Sequence, residues 1–184
     1  VEVHAGSLDI DGLTVSNVDT GVYVAGATGY DRTIKNSYFN NCSSVGVYIE
    51  ASCNLVIEDS QFIGNYRGVR SENGAYLEVT GTNFEGNSDI GIYFNQQNSS
   101  YLSEDCSFVG SNYGIKHDNN YNQNNRIIKN CEFQGANSTA IHFDRNSDYE
   151  WGGQIYNCSI HDNGAGIENP RSVTNSIIYG NNGW

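Results

Sequence analysis

Four ionisable side chains, Lys116, Asp118, His142 and Asp144, occupy the first and last places of two matching phrases, Lys116-His117-Asp118 and His142-Phe143-Asp144. In each, a group able to accept a proton lies two residues before a carboxylate. The period-two alternation of a strand would point both members of such a pair to one face. A Lys or His tuned toward neutral pH serves as a proton acceptor, and the carboxylate steadies developing charge or holds a cation. Two carboxylates roughly 5 Å apart suit retaining glycoside cleavage, whereas a Lys or His base suits β-elimination or epimerisation at a uronate. Lys116, Asp118, His142 and Asp144 are therefore the candidate catalytic groups, provided that the chain brings their strands side by side.

A repeat supplies that arrangement. Phe39, Phe62, Phe84, Phe108, Phe133, Ile160 and Ile178 recur at intervals of 18 to 27 residues, each inside a phrase that reads I-x-N-S-x-F-x-G-N. Two residues earlier stand small side chains, among them Ser37, Ser60, Thr82, Cys106, Cys131 and Cys158. Three earlier stand Asn36, Asp59, Gly81, Asp105, Asn130, Asn157 and Asn175. These types enter the left-handed region at least cost, which predicts a recurrent tight turn. Five earlier runs an aliphatic column, Ile34, Ile57, Val79, Ile128, Ile155 and Val173, interrupted by Ser103.

A second phrase begins Gly21-Val-Tyr-Val and returns as Gly46-Val-Tyr-Ile, Gly68-Val-Arg-Ser, Gly91-Ile-Tyr-Phe, Gly114-Ile-Lys-His, Ala140-Ile-His-Phe and Gly166-Ile-Glu-Asn. Its alternation marks a strand with one buried face, and no segment carries a sustained 3.6-residue apolar stripe. Each repeat thus holds three short strands, too few to bury an apolar face alone. Successive units must stack, every strand pairing in parallel with its equivalent one turn later, roughly 4.8 Å away. The expected fold is all-β, a parallel β-helix of about eight rungs in one domain over residues 1–184. The absence of Met and the start at Val1 lead us to expect a processed protein or a domain excised from a larger one.

These phrases resemble the right-handed parallel β-helix superfamily, which includes pectate lyases, polygalacturonases, alginate epimerases and phage tailspikes. The resemblance covers residues 10–181 and implies a right-handed coil. It also implies that the outer face of the Gly-started sheet forms a polysaccharide groove. On that face the alternation sets out Tyr23, Tyr48, Arg70, Tyr93, Lys116, His142 and Glu168. A second row follows two residues on: Ala25, Glu50, Glu72, Asn95, Asp118, Asp144 and Pro170. Long insertions after Asp118 and Asp144 add Tyr121, Tyr149 and Trp151. Rings beside carboxylates suit sugars, whose apolar faces stack while their hydroxyls bond. Tyr48, Arg70, Tyr93, Tyr121, Tyr149 and Trp151 are the candidate substrate-binding residues. The catalytic signatures of those enzymes, Y-G-F-D-P-H, R-x-P-x-x-R and G-H-G, do not occur in this chain, nor do H-E-x-x-H and G-x-S-x-G.

Asp118-x-Asn120-x-Asn122 and Asp144-x-Asn146-x-Asp148 offer the oxygen-rich spacing that calcium selects, although Gln123 and Tyr149 stand where an EF-hand needs Gly. Calcium is the one cofactor in view. Of the five cysteines, Cys106, Cys131 and Cys158 belong to the inward small-residue column, where buried thiols pack. Cys42 and Cys53 flank one strand, and a bridge between them requires Cα atoms within about 7 Å.

Lys plus Arg number 9 against 21 Asp plus Glu, a net charge of −12 that repels phosphate backbones and anionic membranes. Nucleic acid is excluded as a partner. So is membrane insertion by a helix, since no run approaches the roughly 20 apolar residues that it requires. Two readings remain. The first is a secreted or cell-surface domain that engages a polysaccharide or surface glycan along the strip, with or without lyase, hydrolase or epimerase activity. The second is a non-catalytic structural or adhesive solenoid of a surface protein or phage fibre.

Overall fold

The computed structural model describes residues 1–4, 6–26, 30–50, 53–95, 100–118, 125–144 and 152–183. Its strands form three parallel sheets of eight strands each, and every strand pairs with the one three places further along the chain. The chain visits the sheets in turn, so two terminal coils enclose six that are covered on both sides. The first sheet contains Thr20–Val24, Val45–Ile49, Arg67–Glu72, Ile90–Asn95, Tyr113–Asp118, Thr139–Phe143 and Ala165–Glu168. The aliphatic column lies in the second sheet, whose register aligns Ile34, Ile57, Val79, Ser103, Ile128, Ile155 and Val173. The phenylalanine column lies in the third, in register from Val15 through Phe39 to Ile178.

The register follows from what stacking does to side chains. Phe39, Phe62, Phe84, Phe108 and Phe133 are buried and stack face to face, with centroids 4.6 to 5.0 Å apart and planes within 8°. Across the interior these rings press on the glycines that open the first-sheet strands. A Cβ placed on Gly91 would lie 2.8 Å from Phe108 Cδ1 and 2.6 Å from the Gly114 carbonyl oxygen. Gly46 meets Phe62 in the same way, at 2.8 Å. These glycines are required by close approach, not by backbone dihedral. The coil that replaces Gly by Ala140 also replaces Phe by Ile160, exchanging bulk across the same gap.

The turns behave as the residue types predict. Asn36, Asp59, Asp105, Asn130, Asn157 and Asn175 hold φ between 47° and 54°, and Gly81 holds 60°. Inside the coil, the last Asn of the phrase forms a ladder. Asn65 Oδ1 accepts from the Cys42 amide (2.9 Å), Asn65 Nδ2 donates to the Phe39 carbonyl (3.0 Å), and Asn87 Oδ1 accepts from Asn65 in turn. Asn163 and Asn181 repeat the pattern. Backbone groups left over at a turn are thereby satisfied without water.

The small-residue column is inward, as expected, and has a further role. Ser37 Oγ donates to the Lys35 carbonyl and accepts from the Leu13 amide, and Ser60 acts alike one coil on. Cys106, Cys131 and Cys158 take over the donor part, each 3.2 Å from the carbonyl two residues back. All five cysteines are free and buried, Cys42 and Cys53 included, so these two do not form a bridge. Burial pushes the Cys42 and Cys53 thiols up.

Gly91→Ala is expected to destabilise the fold by about 1–3 kcal/mol through overpacking and Phe108→Ala by about 3–5 kcal/mol through a cavity. Combined, they should cost less than the sum, because removing the ring relieves one of the two close contacts of the methyl, the other being with the Gly114 carbonyl. Urea unfolding of the three variants measures this, and strict additivity would show that the two residues do not press on each other. Alkylation supplies a second test. Cys106, Cys131 and Cys158 should react with iodoacetamide only as fast as the coil opens, and rapid labelling of the native protein would contradict their burial.

Candidate functional site

The outer ladder of the first sheet is in register along the coil. Glu2, Tyr23, Tyr48, Arg70, Tyr93, Lys116, His142 and Glu168 are successive partners, and Glu72, Asn95 and Asp118 form the row beside them. Parallel pairing without slip makes these rows straight, so each side chain meets those of the neighbouring coils. One unit recurs. A tyrosine hydroxyl donates to the carboxylate on the next coil: Tyr23 to Glu50, Tyr48 to Glu72 at 2.7 Å, and Tyr93 to Asp118 at 3.0 Å.

Cations fill the spaces between the rings. Arg70 pairs with Glu72 through Nε at 2.9 Å and through Nη2, and its guanidinium lies 5.0 Å from the Tyr48 ring centre. Lys116 Nζ pairs with Asp118 at 3.0 Å and sits 5.9 Å from the Tyr93 ring and 5.3 Å from the Tyr113 ring. Burial works to raise the Glu72 carboxyl, but donors from Tyr48, Arg70 and Asn95 outweigh it and hold the group below the usual carboxylate range. Burial first, and the Asp118 carboxylate second, push Tyr93 up to about 12. Tyr48 is raised for the same reasons, with Glu72 as its carboxylate.

The four expected catalytic groups divide into separate units. Lys116 and His142 are register partners, as the repeat requires, and Lys116 joins Asp118 on its own strand. His142 does not join Asp144. Its Nδ1 meets Glu168 Oε2 on the next coil, and Thr139 Oγ1 donates to Glu168 Oε1 at 3.1 Å. The next-coil carboxylate lies directly across the ladder, whereas Asp144 stands past the end of Thr139–Phe143. The calcium reading also meets competition at Asp118, whose Oδ2 already accepts from Tyr93 and Lys116. Among the described residues no group of three His, Cys, Asp or Glu side chains is arranged to hold a metal ion. Asn120, Tyr121, Asn122, Asn146, Asp148, Tyr149 and Trp151 lie outside the described residues.

Sequence reasoning missed two members of the strip. Arg67 Nε pairs with Asp89 at 2.8 Å, and its guanidinium lies 4.5 Å from the Tyr93 ring and 5.2 Å from that of Tyr66. Tyr113 meets His142 edge-on at 5.9 Å. Both immediately precede the glycine of the phrase, where strict alternation from Val69 or Ile115 would turn them inward. A polar or aromatic residue recurring just before that glycine is the signal that could have found them.

The right handed beta helix region is the family whose model matches this chain, over residues 20–183. The chain belongs to that right-handed β-helix family, and its three-sheet coil and in-register columns are the physical content of the match. No curated protein matches the chain.

Tyr93 gives this geometry a pH signature. An unfolded tyrosine ionises near 10, and the folded group is raised, so the neutral form is the one favoured by folding. Its contribution to stability should be full below about pH 10 and be lost as pH rises from about 10 to about 12. Asp118→Asn should bring the Tyr93 titration down toward 10. The tyrosinate absorbance difference between each protein and its Tyr93→Phe counterpart reads both values, and an unmoved titration would show that Asp118 does not act on the ring hydroxyl.

Proposed function

We propose that the outer strip of the first sheet binds an extended polysaccharide, in a secreted or cell-surface protein. The observation that carries this reading is the straight, in-register row in which the half-buried rings of Tyr23, Tyr48 and Tyr93 alternate with hydrogen-bonding groups over successive coils. A row of this length suits an extended polymer. Ring faces meet the apolar faces of sugars, and the carboxylate and amide row meets their hydroxyls.

Binding without turnover is the form we favour. A proton acceptor must be aimed at a substrate atom, and both candidates are committed elsewhere: Lys116 to Asp118 and two rings, His142 to Glu168. The missing catalytic signatures point the same way. The pairing also argues against uronate polymers as ligands, because Arg67, Arg70 and Lys116 each carry a carboxylate partner of their own.

Affinity measurements over a panel of soluble polysaccharides test the reading. Tyr93→Ala is expected to weaken binding about tenfold, the equivalent of roughly 1.4 kcal/mol. Tyr38→Ala, on the third sheet, should leave it unchanged. Equal losses from both would place the ligand elsewhere. Assays for unsaturated products, new reducing ends and epimerised residues on the same panel should stay at background. Turnover lost in His142→Ala or Lys116→Ala would restore the enzymatic reading.

A further inference from the structure

We propose that Tyr23, Tyr48 and Glu50 form a seat for the ammonium group of an unacetylated amino sugar, at the N-terminal end of the strip. The inference rests on the polysaccharide reading and names the sugar chemistry that it selects.

The unit of ring and next-coil carboxylate occurs three times along the strip. In two of its three occurrences, the ladder residue on the carboxylate's own strand is a cation. Arg70 serves Glu72 and lies against the Tyr48 ring, while Lys116 serves Asp118 and lies against the Tyr93 and Tyr113 rings. The chain's own lysine thus shows that an alkylammonium fits between ring and carboxylate on this face. In the third occurrence the carboxylate is Glu50, one residue past the end of Val45–Ile49, and the ladder residue of that strand is Tyr48. A second ring stands where the other units keep their cation.

The surroundings suit a positive ligand. The Tyr23 and Tyr48 rings stand 5.3 Å apart at 51°, beside a hollow lined by Val1, Glu2, Thr20, Tyr23 and Tyr48. Tyr23 donates to Glu50, and that bond, with burial and the Glu50 and Glu2 charges behind it, raises the Tyr23 hydroxyl and keeps it a donor. Nearby positive groups are engaged by other carboxylates: Arg70 is held by Glu72, and His4 meets Glu2 at 2.7 Å and the edge of the Tyr23 ring. An ammonium over these rings gains cation–π attraction as well as the Glu50 charge. A neutral sugar brings neither, and a uronate brings repulsion from Glu2 and Glu50.

The test uses the full chain at low salt with three probes: short glucosamine oligomers, their fully N-acetylated counterparts and oligogalacturonate. Glucosamine oligomers should bind about tenfold more tightly than the acetylated ones, within the range that a cation–π contact supplies. Glu50→Gln, close to isosteric, should collapse that preference, and Glu85→Gln on the third sheet should keep it. A preference that survives Glu50→Gln, or tighter binding of the acetylated or acidic oligomers, overturns the seat while the polysaccharide reading stands. Failure of every sugar in this set and in the polysaccharide panel overturns both. Lysine oligomers that bind as tightly as glucosamine oligomers would overturn the sugar as the source of the ammonium.

Discussion

Every position in this molecule must tolerate a near copy of itself roughly 4.8 Å away on either side, because parallel strands stack without slip. This single constraint reaches the interior and the surface alike. Inside, it turns a recurring phenylalanine into a column of stacked rings and compels the facing residue to surrender its side chain, as Gly46, Gly68, Gly91 and Gly114 do. In the Ala140 and Ile160 coil the smaller aliphatic side chain on one side of the gap leaves room for a methyl on the other. Size complementarity across the coil, more than any preference of isolated strands, holds the register.

The same stacking governs polar groups. A buried Asn in one coil finds the carbonyl and amide of its neighbours at the same offset, so Asn65 and Asn87, and again Asn163 and Asn181, satisfy their turns in the same way on either side of the Ser111 and Ala136 coils. On the surface the constraint becomes a problem, since identical charges stacked at this spacing repel. The first sheet answers by mixing its ladder: rings, cations and a histidine follow one another, and a parallel row of carboxylates and an amide neutralises them. The outcome is a straight strip whose cations are internally paired and whose rings remain half-buried.

Much of this was legible in the residues. The spacing of Phe39 through Ile178, the Gly-started phrases and the Asn or Asp turn column determined three sheets, their parallel pairing and the register of the outer ladder, since period two and a repeat leave no other arrangement that buries every apolar column. The left-handed turns at Asn36, Asp59 and their equivalents follow from residue type alone. The inward place of Cys106, Cys131 and Cys158 was legible for the same reason, although their bonding to the carbonyl two residues back was not.

Only the folded coil decided which partner each ladder residue chooses. Spacing within a strand pairs His142 with Asp144, yet the carboxylate across the ladder is Glu168, and a contact between coils overrules one along the chain. Arg67 and Tyr113 escaped the alternation because their position is an inward one in the neighbouring coils, where their register partners Val45, Ile90 and Thr139 are buried, yet these two side chains reach Tyr93 and His142. The sequence determined the columns because burial imposes a period. The charges of the strip answer to distances between coils, and those exist only once the solenoid is wound.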